Sequence, residues 1–148
     1  MYVQRVEEEN KRQYMDLLLL ADEAEDMIRK YLFRGELFAL YDGDLISICV
    51  VTDEGNGTFE LKNIATRPQY QRMGYGKSLI TFVVNRYQGK GKRLLVGTGD
   101  TPEMNAFYQG CGFTYSHTVK NFFVDNYPHP IIDNGIVLTD MMYMKQSL

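Results

Sequence analysis

The sequence predicts a mixed α/β fold, with one mostly antiparallel central sheet flanked by helices. Three observations predict it. Two apolar runs, Leu37 to Tyr41 and Leu45 to Thr52, are joined by Asp42-Gly43-Asp44, a strong hairpin signal. A second turn, Glu54-Gly55-Asn56-Gly57, feeds a third run from Thr58 to Thr66, so three strands in succession form a meander. Beyond a turn containing Pro68, Gly74 and Gly76, the residues Leu79, Ile80, Val83, Val84 and Tyr87 recur at helical spacing.

The remaining elements follow in order. Tyr2 to Val6 alternates as a first strand. Tyr14, Leu17 and Leu18 form an apolar stripe, which predicts a helix over residues 9–20. Asp22 reads as the N-cap of a second helix with Glu25 at the capping-box position; Met27, Ile28, Tyr31 and Leu32 form its apolar face and Gly35 stops it. Gly89-Lys90-Gly91 ends the central helix, and Arg93 to Gly97 is a short buried strand. A further helix runs from Pro102, at its first turn, to Gln109. Gly110-Cys111-Gly112 ends that helix, and Phe113 to Val119 and Val137 to Met144 are the last strands. The stretch 121–135 between them is irregular and aromatic.

Composition bounds the function. The chain has 148 residues, 45% hydrophobic and 24% charged, an ordinary balance for one domain spanning 1–148. A formal net charge of −3 argues against nucleic acid as a partner. The N-terminus lacks a secretory pattern and no apolar run approaches a membrane span, so the expectation is a cytoplasmic protein without a membrane partner. Cys49 and Cys111 show neither a disulfide framework nor metal-type spacing, and His117 and His129 have no spaced partners, so no metal is expected.

The turn after Thr66 carries the clearest chemistry. A strand that enters a glycine-containing turn and leaves as a helix presents unpaired N–H groups and the positive end of a helix dipole, which suits a phosphate-bearing ligand. Gly76-Lys77-Ser78 matches the end of a P-loop, but the opening glycine position holds Gln71. A dinucleotide fold is disfavoured too, because Gly74-x-Gly76 lacks the third glycine and follows an antiparallel meander. Local basic residues (Arg67, Arg72, Lys77, Arg86, Lys90, Lys92 and Arg93) fit either a solvated rim or an approach surface for an anion.

Gln71-Arg72-Met73-Gly74-Tyr75-Gly76 resembles the Q/R-x-x-G-x-G/A pyrophosphate motif of the GNAT superfamily of acetyl-CoA-dependent N-acetyltransferases. Asn63-Ile64-Ala65-Thr66-Arg67-Pro68 is similar to that family's fourth strand and its exit. Asn105-Ala106-Phe107-Tyr108-Gln109-Gly110-Cys111-Gly112-Phe113 is similar to its late helix, which ends in a tyrosine followed by a Gly-Phe pair. The element order matches as well, from about residue 2 to 119.

The resemblance implies roles. Backbone groups of Ile64 and Thr66, in the segment Ile64-Ala65-Thr66, would bind the pantetheine arm and acetyl carbonyl of acetyl-CoA. Gln71 belongs to the motif, and the N–H groups from Arg72 through Met73, Gly74, Tyr75 and Gly76 to Lys77 would cradle the pyrophosphate. Tyr108 would protonate the departing thiolate, and Glu60 would deprotonate the amine, unless it is simply a solvated strand carboxylate. The family's Asn-x-x-Ala-x-x-x-Tyr pattern is broken here by Thr101 and Met104, leaving Asn105 or Asp100 as the polar contact to the CoA arm. The expected activity is direct acetyl transfer within a ternary complex to a small-molecule amine, in preference to a peptide or protein. A catalytically silent acyl-CoA-binding module is the alternative from another class. Phe122, Phe123, Tyr127 and Pro128, with Asp125 and Asp133, fit a cap over a cationic acceptor, a hydrophobic flap, or the contact of a homodimer.

Overall fold

In the computed structural model, which describes residues 1–148, the meander forms the middle of a larger sheet. The chain begins with β1 (Tyr2–Arg5), a 3-10 segment (Glu8–Tyr14), α1 (Met15–Leu18) and α2 (Glu25–Leu32). The meander strands are β2 (Glu36–Asp42), β3 (Asp44–Gly55) and β4 (Thr58–Thr66). Then come α3 (Tyr75–Tyr87), β5 (Arg93–Thr98), α4 (Pro102–Gly110), β6 (Thr114–Val119) and α5 (Phe122–Asn126). A small hairpin, β7 (Ile132–Asp133) with β8 (Ile136–Val137), precedes β9 (Met141–Ser147). The main sheet has the order β1-β2-β3-β4-β5-β9-β6, and β4 with β5 is its parallel pair.

The sheet is covered on both faces, which is why β2 and β3 read as nearly continuous apolar runs. Phe38, Leu40, Cys49, Val51 and Leu61 face α3, where Leu79, Ile80, Val83 and Tyr87 meet them. The alternate residues Leu37, Ala39, Ile48, Val50 and Ala65 face α1 and α2 through Leu17, Leu18, Ile28 and Leu32. No helix is long and apolar enough to cross a membrane.

Three sequence expectations are corrected. The helix expected over 9–20 is a 3-10 segment followed by a single α-helical turn. Residues 8–13 are all polar, so no apolar face selects the α-helical period there. Lys11 instead turns inward, 2% exposed, and its Nζ donates to the carbonyls of Leu32 (2.9 Å), the last residue of α2, and of Gly35 (2.6 Å) beyond it. Those carbonyls have no intrahelical partner, and a cation suits the negative end of the dipole.

The second correction concerns Asp22. It does not cap α2, whose N-cap is Ala24; the Asp22 carboxylate accepts the Ala24 N–H at 3.3 Å and two tyrosine hydroxyls described below. The third concerns the last strand, which is broken into β8 and β9. Around the break the Thr139 carbonyl accepts the Phe123 N–H at 3.0 Å, and the Asp140 carboxylate accepts the Asn121 N–H at 2.9 Å. Those side bonds pin the start of α5 and remove the intervening residues from the ladder.

Candidate active site

The site begins with a gap in the sheet. β5 pairs with β4 only from Thr58 to Leu61, and beyond that point the two strands part. Opposite the parting point, the β3–β4 register skips Lys62, a bulge that bends the strand. Arg67 donates its N–H to the Ile46 carbonyl at 2.9 Å, and the Ala65 carbonyl accepts the Ser47 hydroxyl at 2.9 Å, so these residues face β3. Strand alternation therefore turns the backbone groups of Ile64 and Thr66 toward the gap. The side-chain amide of Gln71 donates to the Thr66 carbonyl at 3.1 Å, tying the next loop to this free edge.

That loop delivers the N-terminus of α3. Arg72 lies at φ +60° and Gly74, the N-cap, at φ +87°. The first N–H groups of α3 lack intrahelical acceptors and open onto the loop. Gly76 is small for a different reason: a Cβ there would lie 3.2 Å from the Phe107 ring on α4. Around the loop, Arg72 pairs with Glu103 at 2.9 Å and the Tyr75 hydroxyl donates to Asp42 at 2.9 Å, while Met73 is exposed. Arg86, by contrast, is not part of an anion approach: it pairs with Glu36 at 3.2 Å and lies over the Phe38 ring.

A cavity of about 560 Å³ lies against the gap, and Ile64, Ala65, Thr66, Gln71 and Tyr108 all line it. Tyr108, on α4, is 7% exposed and packs edge-on to Phe107 and Phe113. Its hydroxyl has no hydrogen-bond partner in the protein, although the other buried tyrosines, Tyr31 and Tyr87, do. Burial, with a smaller contribution from the nearby Cys111, raises its pKa above the ordinary phenol range. At neutral pH it is a protonated donor facing the cavity.

Eight expected residues do not line the cavity: Arg72, Met73, Gly74, Tyr75, Gly76 and Lys77, which form the loop and the first turn of α3 beside it, and Glu60 and Asn105. Glu60 is 8% exposed and does not line it; its carboxylate meets the Lys62 ammonium at 3.1 Å, and Lys62 does line it. Burial raises the Glu60 pKa against the opposing pull of Lys62. Asn105 has both polar ends engaged, accepting the Thr98 hydroxyl at 3.1 Å and donating to Asp100 at 2.9 Å. It braces the turn between β5 and α4.

The opposite wall comes from two segments far apart in sequence. The α1–α2 loop contributes Asp22 and Glu23, and the 121–138 segment contributes Phe123, Tyr127 and Asp133, all expected cap residues of that segment. Phe122, Asp125 and Pro128 do not reach the cavity lining. Two features of the cavity lining escaped sequence reasoning. Asp22 accepts hydroxyls from Tyr31 (3.2 Å) and Tyr127 (2.8 Å), and Asn63 donates from one amide nitrogen to Tyr31 (3.0 Å) and the Leu18 carbonyl (3.1 Å). One signal was available: Asn63 shares its strand parity with core-facing Ala65, so a polar residue there is buried by the alternation itself.

Comparison with known proteins agrees with this geometry. The model of the acetyltransferase (GNAT) domain family matches residues 34–115. The N-acetyltransferase YvbK of Bacillus subtilis (strain 168) is 34% identical over 144 residues, covering 95% of this chain and 93% of that protein. Among solved structures, an IAA acetyltransferase from Bacillus cereus ATCC 14579 superposes with a TM-score of 0.92 at 33% identity, covering 99% of each chain. A GNAT family acetyltransferase from Elizabethkingia anophelis, solved with acetyl-CoA bound, gives 0.91 at 37% identity, covering 99% of this chain and 97% of that one.

Proposed function

This chain belongs to the GNAT acetyltransferase family, and on that premise we propose that it transfers the acetyl group of acetyl-CoA directly to a small-molecule amine. One observation carries the proposal: the free β4 edge and the unpartnered Tyr108 hydroxyl line the same cavity. The residues present fit the donor. Ile64 and the Thr66 N–H offer gap-facing backbone groups to an extended amide-bearing arm, with the Thr66 carbonyl already held by Gln71, and the Arg72–Lys77 loop offers N–H groups at a helix start to a pyrophosphate. Gly74 supports this loop through its positive φ and Gly76 through its close packing on Phe107. Binding of acetyl-CoA by the Elizabethkingia relative, at 37% identity over nearly the whole chain, is consistent with this assignment.

Acetyl-CoA supplies the activated acetyl group; the chain supplies position and protons. The gap-facing N–H groups of β4 orient the donor and polarise its carbonyl. Tyr108 holds a proton at its phenolic oxygen for the sulfur that departs as a thiolate. Glu60, buried and paired with Lys62, accepts the amine proton at one remove from the cavity. Its raised pKa moves it toward neutrality, where a general base is most effective. Gln71 and Asn105 act as positioning residues, the first on the Thr66 carbonyl and the second on the turn before α4. A cavity of about 560 Å³ is the size of a small-ligand site, and sharing it with the donor arm leaves room for a small acceptor.

The test is a two-substrate assay of the purified protein with acetyl-CoA and a panel of primary amines. Free thiol should form only when both substrates are present, and mass spectrometry should find the N-acetylated amine. Initial-rate plots should intersect, because both substrates are bound before reaction; parallel lines would indicate an acetylated enzyme instead. No thiol release with any amine would leave only a silent acyl-CoA-binding module.

A further inference from the structure

The wall facing the donor edge carries a polar cluster that donor binding does not use. Asp22 receives the hydroxyls of Tyr31 and Tyr127, so both donors point at one carboxylate that lines the cavity. Asn63, also lining the cavity, is 5% exposed and commits its Nδ2 to Leu18 and Tyr31. Its Oδ1 is buried without any hydrogen-bond partner. A buried carbonyl oxygen left unpaired is costly, and Asn63 bears that cost while its amide fixes the Tyr31 hydroxyl that reaches Asp22. The wall is acidic: Asp22, Glu23 and Asp133 oppose the one lining cation, Lys62, whose ammonium is held by Glu60. The rest of the wall, including Leu20, Phe123, Ile131 and Leu138, is apolar.

We propose that Asp22 and Asn63, bridged by Tyr31 and closed over by Tyr127, form the acceptor's recognition seat, and that the seat takes a small alkylamine carrying a positive charge. Asp22 balances the acceptor's charge, Asn63 holds the Tyr31 hydroxyl on Asp22, and the apolar wall packs on the acceptor's carbon skeleton. This assignment rests on the acetyltransferase reading above. Asn63 immediately precedes Ile64, so the cluster lies beside the donor edge. Asp22 is a specificity-determining residue here, because it discriminates charge and leaves the proton transfers to other groups.

The test compares two acceptors of similar size at one pH: a cationic alkylamine, and an arylamine that is neutral under the same conditions. Wild-type protein should favour the alkylamine in kcat/KM. In Asp22→Asn, kcat/KM for the alkylamine should fall roughly 10- to 100-fold, the usual scale for losing a charged partner, while the arylamine changes less than about twofold. Tyr127→Phe removes one bond to the same carboxylate and should give a smaller loss in the same direction. Acetyl-CoA affinity, measured by calorimetry, should stay constant in both variants. The seat is overturned if wild-type protein acetylates both amines equally, or if Asp22→Asn lowers both alike; either result leaves the acetyltransferase reading standing. Thiol release with neither amine would remove that reading and the seat with it.

Discussion

Replacing Tyr108 by Phe isolates one oxygen atom. The ring contacts with Phe107 at 5.1 Å and Phe113 at 5.8 Å between centroids survive the change. The hydroxyl faces the cavity and has no protein partner to lose, so stability, read from the melting temperature, should stay within about 1 kcal/mol of wild type. Catalysis should respond differently. A positioned general acid contributes about 10²–10⁴-fold, and a thiolate is a fair leaving group unaided, so the lower end applies. A loss of about 10² in kcat corresponds to about 2.7 kcal/mol of transition-state stabilisation. The assay is steady-state thiol release with saturating amine, alongside acetyl-CoA affinity by calorimetry, which should not move. The pH profile adds a second check. Because burial raises the phenol above its ordinary range, Tyr108 stays protonated through neutrality and gives up its proton only under strongly alkaline conditions. The wild-type acid role should therefore persist up to at least about pH 10, the unperturbed phenol value. A Phe variant with kcat within twofold of wild type, or one whose acetyl-CoA affinity falls in step with kcat, would refute the assignment.

Gly74→Ala should strain the loop without any clash, since nothing lies within 4 Å of the added carbon and the backbone stands at φ +87°. The expected cost is about 1–2 kcal/mol in urea denaturation, with a raised KM for acetyl-CoA. Glu36 accepts hydrogen bonds from Arg5, Arg86 and Tyr87. Burial pushes its pKa up, but those bonds outweigh it and hold the folded-state value below the ordinary carboxylate range. Its contribution is therefore present above the unfolded pKa of about 4.3 and is lost as pH falls through the lowered folded value. Glu36→Gln should destabilise the protein by about 1–3 kcal/mol at pH 7, with the gap to wild type closing as pH falls below the ordinary carboxylate range; a gap constant with pH would refute this. Glu60→Gln should lower kcat/KM about 10²-fold and abolish the acidic limb of the pH profile, because a base must lose its proton before it can accept one. If the limb survives, Glu60 serves only to hold Lys62.

The fold was legible where its signals were local. Asp42-Gly43-Asp44 fixes a hairpin within three residues, and the spacing from Leu79 to Tyr87 fixes α3 without reference to the rest of the chain. The donor half of the site shares this property, since β4, its loop and α3 are contiguous. The acceptor half does not. Asp22 meets Tyr127 across 105 residues, and no neighbouring residue announces that pairing, so a short polar side chain before a helix reads as a cap. The Asn10–Gln13 stretch misleads similarly, because Lys11 is placed by carbonyls more than twenty residues away. Glu60 falls off the cavity wall while Leu61 and Lys62 line it, next to a bulge that a simple two-residue alternation does not anticipate.

The third hydrophobic cluster, Phe123, Ile131 and Leu138, is separate from the two cores that sandwich the sheet. Together with the β7–β8 hairpin, it lets the 121–138 wall hold its own shape over the cavity. Substitutions there repack three side chains instead of the sheet, so their effects on stability should add independently to those of changes in α3 or the meander. In the proposed site this wall supplies the apolar side chains Phe123, Ile131 and Leu138, while Asp22 and Asn63 come from other elements, so changes in the wall would reshape the apolar part of the seat and leave its charged part in place.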